Sequence, residues 1–130
     1  MKYLLITVVI IAMAVSVKAQ NTENVKKVLE NGEEVYTALK NPPYFQDGVH
    51  FLANNLRIPA SVREKNIHGT VVVVFIIEKD GTLSNFKILS SPSNEMSDEV
   101  IRMFKSTPKW NPGMVDGKPV RFLFNFPVNF

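Results

Sequence analysis

Two histidines, His50 and His68, are the strongest candidates for acid–base or metal chemistry in a chain that has no cysteine. His50 falls on the polar side of an expected helix with Asn54 and Arg57, one turn from Asp47. That spacing offers half of an acid–base pair, but a solvated residue near its own helix cap is the favoured reading. His68 has no second His or Cys at ligand spacing, so a zinc site lacks its donors. Ser90, Ser91 and Ser93 have no base at a recognisable spacing and read as loop and capping residues. There is neither a GxSxG turn nor a glycine-rich phosphate loop. The expectation is a protein with no catalytic centre, no metal and no cofactor. Trp110, between proline-bearing turns, reads as a lid on the core, and Met96 and Met103, beside Val100 at helical spacing, read as core filler.

The segment with chemistry of a different kind is the last one. Val120, Phe122, Phe124, Phe126, Val128 and Phe130 alternate with Arg121, Leu123, Asn125, Pro127 and Asn129, a period of two that predicts a strand with one face in the core. Pro127 cannot donate to a neighbouring strand, which predicts that this is an edge strand. An exposed edge presents unpaired N–H and C=O groups, and an extended peptide can add to it as a further strand.

The rest of the chain must position that edge. With 130 residues, 45% of them hydrophobic, and nine Phe, the chain suffices for one modest domain; it excludes a pair of large catalytic domains and an intrinsically disordered protein. Residues 1–19 have the pattern of a signal peptide: Lys2, an apolar run from Tyr3 to Val17, and a small residue, Ala19, at the expected cut. The run is short for a bilayer span of ~20 residues, so export with cleavage is favoured over a retained anchor. Lys2 and Lys18 fall in this leader, and the remaining chain carries a net charge of only +1. Its basic residues are scattered, which excludes the electrostatic footprint of a nucleic-acid binder.

Residues 20–41 are polar and charged and read as a tether, with an edge strand at Val35-Tyr36 stopped by Pro42-Pro43. A domain over 42–130 follows. Asp47 is the expected N-cap of a helix carrying Val49, Leu52, Ala53 and Leu56 on one stripe, ended by Pro59. Thr70 to Ile77 is β-branched or aromatic throughout, as suits a buried strand. Asp80-Gly81 predicts a hairpin returning through Leu83 to Leu89. Ser93 or Asn94 caps a second helix whose apolar face is Met96, Val100, Met103 and Phe104. The fold class is α+β: a three- to four-stranded antiparallel sheet with two helices packed on one face.

From Tyr44 to Phe130 the sequence resembles the C-terminal domain of TonB, the protein that couples the energised inner membrane of a two-membrane bacterium to outer-membrane receptors. The resemblance is carried, in order, by Ile58-Pro59-Ala60, Gly69 before the Val-rich strand, Asp80-Gly81, Glu99-Val100, Trp110-Asn111-Pro112-Gly113, Gly117-Lys118-Pro119-Val120 and Phe126-Pro127-Val128. The chain departs from the family at Ile58, where an aromatic is usual, and at Ser61, where an arginine is often found nearby and Arg63 is the nearest substitute.

The resemblance implies a periplasmic partner-binding module. Its partner would be the TonB box, an extended segment near the N-terminus of an outer-membrane receptor, which pairs with the last strand of this fold. Carried over residue by residue, the contact set is Val120, Arg121, Phe122, Leu123, Phe124, Asn125, Phe126 and Val128, with Arg121, Leu123 and Asn125 pointing outward, plus Arg57, Ile58 and Pro59 before the second strand. The alternatives from the residues themselves are a homodimer or structural envelope protein whose edge is covered by strand exchange, and a small exported enzyme.

Overall fold

The computed structural model describes residues 23–130; the expected leader, residues 1–19, lies outside the described residues. In chain order the strands are β1 (Val25–Val28), β2 (Glu34–Ala38), β3 (Thr70–Ile77), β4 (Leu83–Ser90), β5 (Gly113–Val115), β6 (Lys118–Val120) and β7 (Phe122–Asn129), and the helices α1 (Gly48–Asn55), α2 (Ala60–Glu64) and α3 (Asn94–Lys105). The architecture is α+β, as the alternation of strand and helix periods predicts.

The strand count and pairing differ in detail from the expected antiparallel sheet. A five-stranded mixed sheet has the order β1-β2-β7-β3-β4, beside a two-stranded ribbon of β5 and β6. β3 pairs antiparallel with β4 on one side and with β7 on the other, while β2 meets β7 in parallel. β2 contains the strand expected at Val35-Tyr36, but it is not at the edge: β1, from the same expected tether, pairs with it as an antiparallel hairpin through the turn at Gly32. In strand order β7 is therefore not outermost, a correction to the edge position expected from Pro127. A third helix, α2, also follows Pro59, which serves as its first cap with φ −58°.

Asp47 does not cap α1 through its side chain. Its backbone sits in the left-handed region at φ 67°, and it is the Asp47 carbonyl that accepts from Phe51 N–H at 2.9 Å. Ser93 does cap α3: its Oγ accepts from Met96 N–H at 3.1 Å, with Glu95 in the first turn and Arg102 and Lys105 in the last, in keeping with the helix dipole.

Alternation along β3 sorts its side chains between two faces. Val71, Val73, Phe75 and Ile77 pack toward the helices with Met96, Val100, Met103 and Phe104, all fully buried. Phe75 is the hub, with ring centroids 4.9 Å from Phe104, 5.6 Å from Phe124 and 5.9 Å from Trp110. The contacts with Phe124 and Trp110 are edge-to-face and that with Phe104 is tilted, and such stacking adds to the burial of each ring, itself worth about 1.5–3 kcal/mol. Trp110 is a lid on this core, 7% exposed, with its indole N–H donated to Thr107 Oγ1 at 3.1 Å. Ile76 and Val35 are buried too but stand apart from this cluster.

The β3–β4 turn is fastened to the segment after α3. Gly81, at φ 86°, accepts from Trp110 N–H at 2.9 Å, and a Cβ at Gly81 would overlap the Trp110 carbonyl oxygen. Gly117, at φ 78°, has open space around it. Gly81→Ala should therefore cost more than about 2 kcal/mol and Gly117→Ala only about 1, the left-handed strain alone. Urea denaturation of the two variants measures the difference; equal losses would mean that the close approach at Trp110 carries no weight.

Candidate peptide-binding edge on the last strand

Eight residue pairs join β3 to β7, from Thr70↔Asn129 to Ile77↔Phe122, with no bulge. Antiparallel pairs alternate between those that exchange both hydrogen bonds and those that exchange none. Phe130 N–H donates to Gly69 O at 2.9 Å, which fixes the parity. Phe122, Phe124, Phe126 and Val128 bond to β3, and the main-chain groups of Leu123, Asn125, Pro127 and Asn129 point away from it. The Arg121 carbonyl agrees, since it faces away and accepts from Tyr36 N–H at 2.9 Å. The imino nitrogen of Pro127 thus lies on the outer flank, where it costs the β3 ladder nothing.

That outer flank is covered only at its start. β2 pairs with β7 at Tyr36↔Phe122 alone. Beyond this bridge, from Asn125 to Asn129, no described strand lies beside β7. The uncovered stretch offers the amides of Asn125 and Asn129 as donors and the carbonyls of Asn125, Pro127 and Asn129 as acceptors.

The sequence-derived contact residues distribute unevenly around this flank. Phe122 and Val128 are buried, Phe124 and Phe126 half-buried, all on the helix side. Leu123 is half-buried and Asn125 exposed on the opposite face. Val120 lies in β6, paired with Gly113 rather than continuous with β7. Arg121, expected to point outward as a reading side chain, is committed to intramolecular pairs. Its Nε donates to Glu78 Oε1 at 2.8 Å and its Nη2 to Glu78 Oε2 at 3.1 Å, while Nη1 is paired with Glu33 of the β1–β2 turn. Glu78 and Arg121 stand directly opposite one another, one step beyond the end of the β3–β7 register. Ser84 Oγ also donates to Glu78.

Arg57, Ile58 and Pro59 lie at the other end of the flank. Arg57 N–H donates to Glu99 Oε2 at 2.6 Å, and Arg102 bridges Glu99 (2.7 Å) and the Asn55 carbonyl (2.7 Å), so α3 holds this segment. Ile58 is 48% exposed and shares a small apolar pocket of about 110 Å³ with Val62, Ile67 and Phe130. The fold therefore brings the segment before Pro59 to the C-terminal end of β7. Of the histidines, His50 is exposed, and His68 Nε2 lies 3.0 Å from Asn66 Oδ1. Among the described residues, no three His, Cys, Asp or Glu side chains group to hold a metal.

The features that sequence reasoning missed are the Glu33–Arg121–Glu78 clasp and β1, which makes a hairpin of the strand expected at Val35-Tyr36. Pairing with Arg121, and then the hydrogen bond from Ser84, hold the Glu78 carboxyl below the usual carboxylate range; Arg102 does the same for Glu99. The Arg121 guanidinium is correspondingly raised, first by Glu78 and then by Glu33.

The chain belongs to the family described as the Gram-negative bacterial TonB protein C-terminal, whose model matches residues 54–130. Domains of this family are non-enzymatic interaction modules of TonB-dependent transport and work in the periplasm of Gram-negative bacteria. Comparison with curated proteins finds no match. The matched residues include β7, β3 and the Ile58-Pro59 segment, and leave out the β1–β2 hairpin. No helix among the described residues is long and apolar enough to cross a membrane.

A carboxylate whose folded pKa is depressed stabilises the fold above its unfolded pKa, and that contribution is lost as pH falls through the folded value. Glu78→Gln should therefore lower stability by about 1–2 kcal/mol at pH 7 and converge on the parent below the carboxylate range. Thermal melts from pH 7 to pH 3 check this. A gap that stays constant over that range would mean that Glu78 is not ionically engaged.

Proposed function

We propose that this chain is a periplasmic module that captures the TonB box of outer-membrane receptors as an added strand on the free flank of β7, linked to energy-dependent transport across the outer membrane. The observation that carries this reading is the run from Asn125 to Asn129, fully bonded to β3 on one side and without a strand on the other. Its contact set is Leu123, Asn125 and the backbone of β7, extended at the far end by Ile58 and Pro59. Arg121 serves instead to fix the start of the strand. Strand addition draws its affinity from main-chain bonds, so it needs none of the acid–base or metal chemistry for which the chain has so few groups.

The geometry also sets the strength of binding. Two donors and three acceptors at about 1 kcal/mol each must offset an association cost of roughly 4–15 kcal/mol. Main-chain pairing alone gives a weak and rapidly reversible complex, and side-chain contacts at the two ends of the flank must supply the rest.

Asn125→Pro removes an outward donor without touching the β3 ladder, whereas Asn125→Ala keeps it. Titration of labelled receptor N-terminal peptides should show binding lost in the first variant and within about threefold of the parent in the second. Equal affinity in both, with circular dichroism showing both folded, rules out strand addition here. The export reading is checked separately: mass spectrometry of the native protein should find a chain starting at Gln20, which would make this an adaptor or competitor for receptor peptides. A retained leader would instead make it a minimal anchored transducer.

A further inference from the structure

The face of the sheet turned away from the helices is not a plain solvated surface. The β1–β2 hairpin reaches across it, and between hairpin and sheet runs a groove of about 640 Å³. This is within the ~300–1,000 Å³ of ordinary ligand sites. Its floor is Val74 and Ile76 of β3 with Leu123 of β7, and one wall is Val28 and Leu29 of the hairpin. Leu89 of β4 forms the rim. Val28 is 63% and Leu89 54% exposed, two of the five large apolar side chains that the described residues leave most open to solvent. Apolar side chains gathered around a concavity mark a contact surface, whereas scattered ones do not.

The groove is continuous with the free flank of β7. Asn125 lines it and also carries the first uncovered outward amide. Side chains directly opposite one another on neighbouring strands point to the same face. A guest residue beside Asn125 must therefore turn its side chain to the face on which this groove opens, with Asn125 between it and Val74, the register partner of Asn125 on β3. The charges are complementary to one kind of guest. Lys27 and Lys87 line the groove with a single acid, Glu30, and neither lysine takes part in an ion pair among the described residues.

We propose that the hairpin-walled groove is the selectivity site for the captured segment, taking an apolar side chain from the guest residue beside Asn125 and drawing toward Lys27 and Lys87 a carboxylate two residues along the guest, on the same face. This rests on strand addition at β7 and specifies which extended peptides are held: acidic–apolar ones. The walls come from residues 27–31, outside the family-matched region, so the selectivity belongs to this chain's own N-terminal hairpin.

The test uses the full mature chain and short synthetic peptides tiling the N-terminal segments of the outer-membrane receptors of the organism that makes this protein. Each peptide is paired with versions in which its acid is changed to Lys or its apolar residue to Ser. Leu89→Asp and Lys87→Glu alter exposed positions and leave the β7 flank intact. The expected result is roughly tenfold weaker binding of acidic–apolar peptides to either variant, and recovery of the acid-to-Lys peptides on Lys87→Glu. Unchanged affinity and unchanged peptide preference in both variants overturns the groove. If Asn125→Pro still abolishes binding, strand addition stands without it. Binding unaffected by Asn125→Pro, or no binding by any peptide, removes both.

Discussion

The arrangement of this domain depends on the ladder between β3 and β7. Eight pairs without a bulge commit one flank of β7 entirely to β3. Because hydrogen-bonding direction alternates along a strand, the same commitment aims every second set of main-chain groups the other way. The core follows from the same register. Phe122, Phe124, Phe126 and Val128 are carried to the helix side, where Phe75 collects the rings of Phe104, Phe124 and Trp110. A slip of one residue would exchange the two faces and turn the phenylalanines to solvent.

The N-terminal hairpin modifies this frame without replacing it. It touches β7 through one bridge at Tyr36 and is tied down by Glu33 on Arg121. Arg121 is thereby shared between the sheet, through Glu78, and the hairpin. Side chains on both arms of this clasp are partly solvated, and partly exposed ion pairs of this kind are worth modest energies. Its larger effect is on position: it places the hairpin over Ile76 and closes the beginning of the β7 flank while leaving the remainder open.

Much of this was legible in the residues. The 3.6-residue stripe of Met96, Val100, Met103 and Phe104, the run Thr70–Ile77, the Asp80-Gly81 turn and the alternation after Val120 each specify an element through local chemistry. Long-range pairing was less accessible. That Pro127 sits in a strand was plain; that its missing donor faces the outer flank depends on the parity set by Gly69 and Phe130. The alternation put Arg121 on the outward face correctly, but its use was hidden because Glu78 and Glu33 lie 43 and 88 residues away in sequence. β1 was hidden for a further reason: Val25–Val28 is short and wholly exposed, with too little periodicity to separate it from a tether. Asp47 shows the converse, a good capping residue by type whose backbone adopts φ 67°, beyond the reach of a side-chain cap.

Pro127 has a consequence for self-association. On the uncovered part of β7 the donors are four positions apart, at Asn125 and Asn129, with a methylene where the intervening one would stand. An indefinite stack of identical strands, as in a fibril, draws on an unbroken row of amides from every layer. Two amides so spaced make this border too sparse to seed a polymer of its own kind, although the described residues leave it without a neighbouring strand.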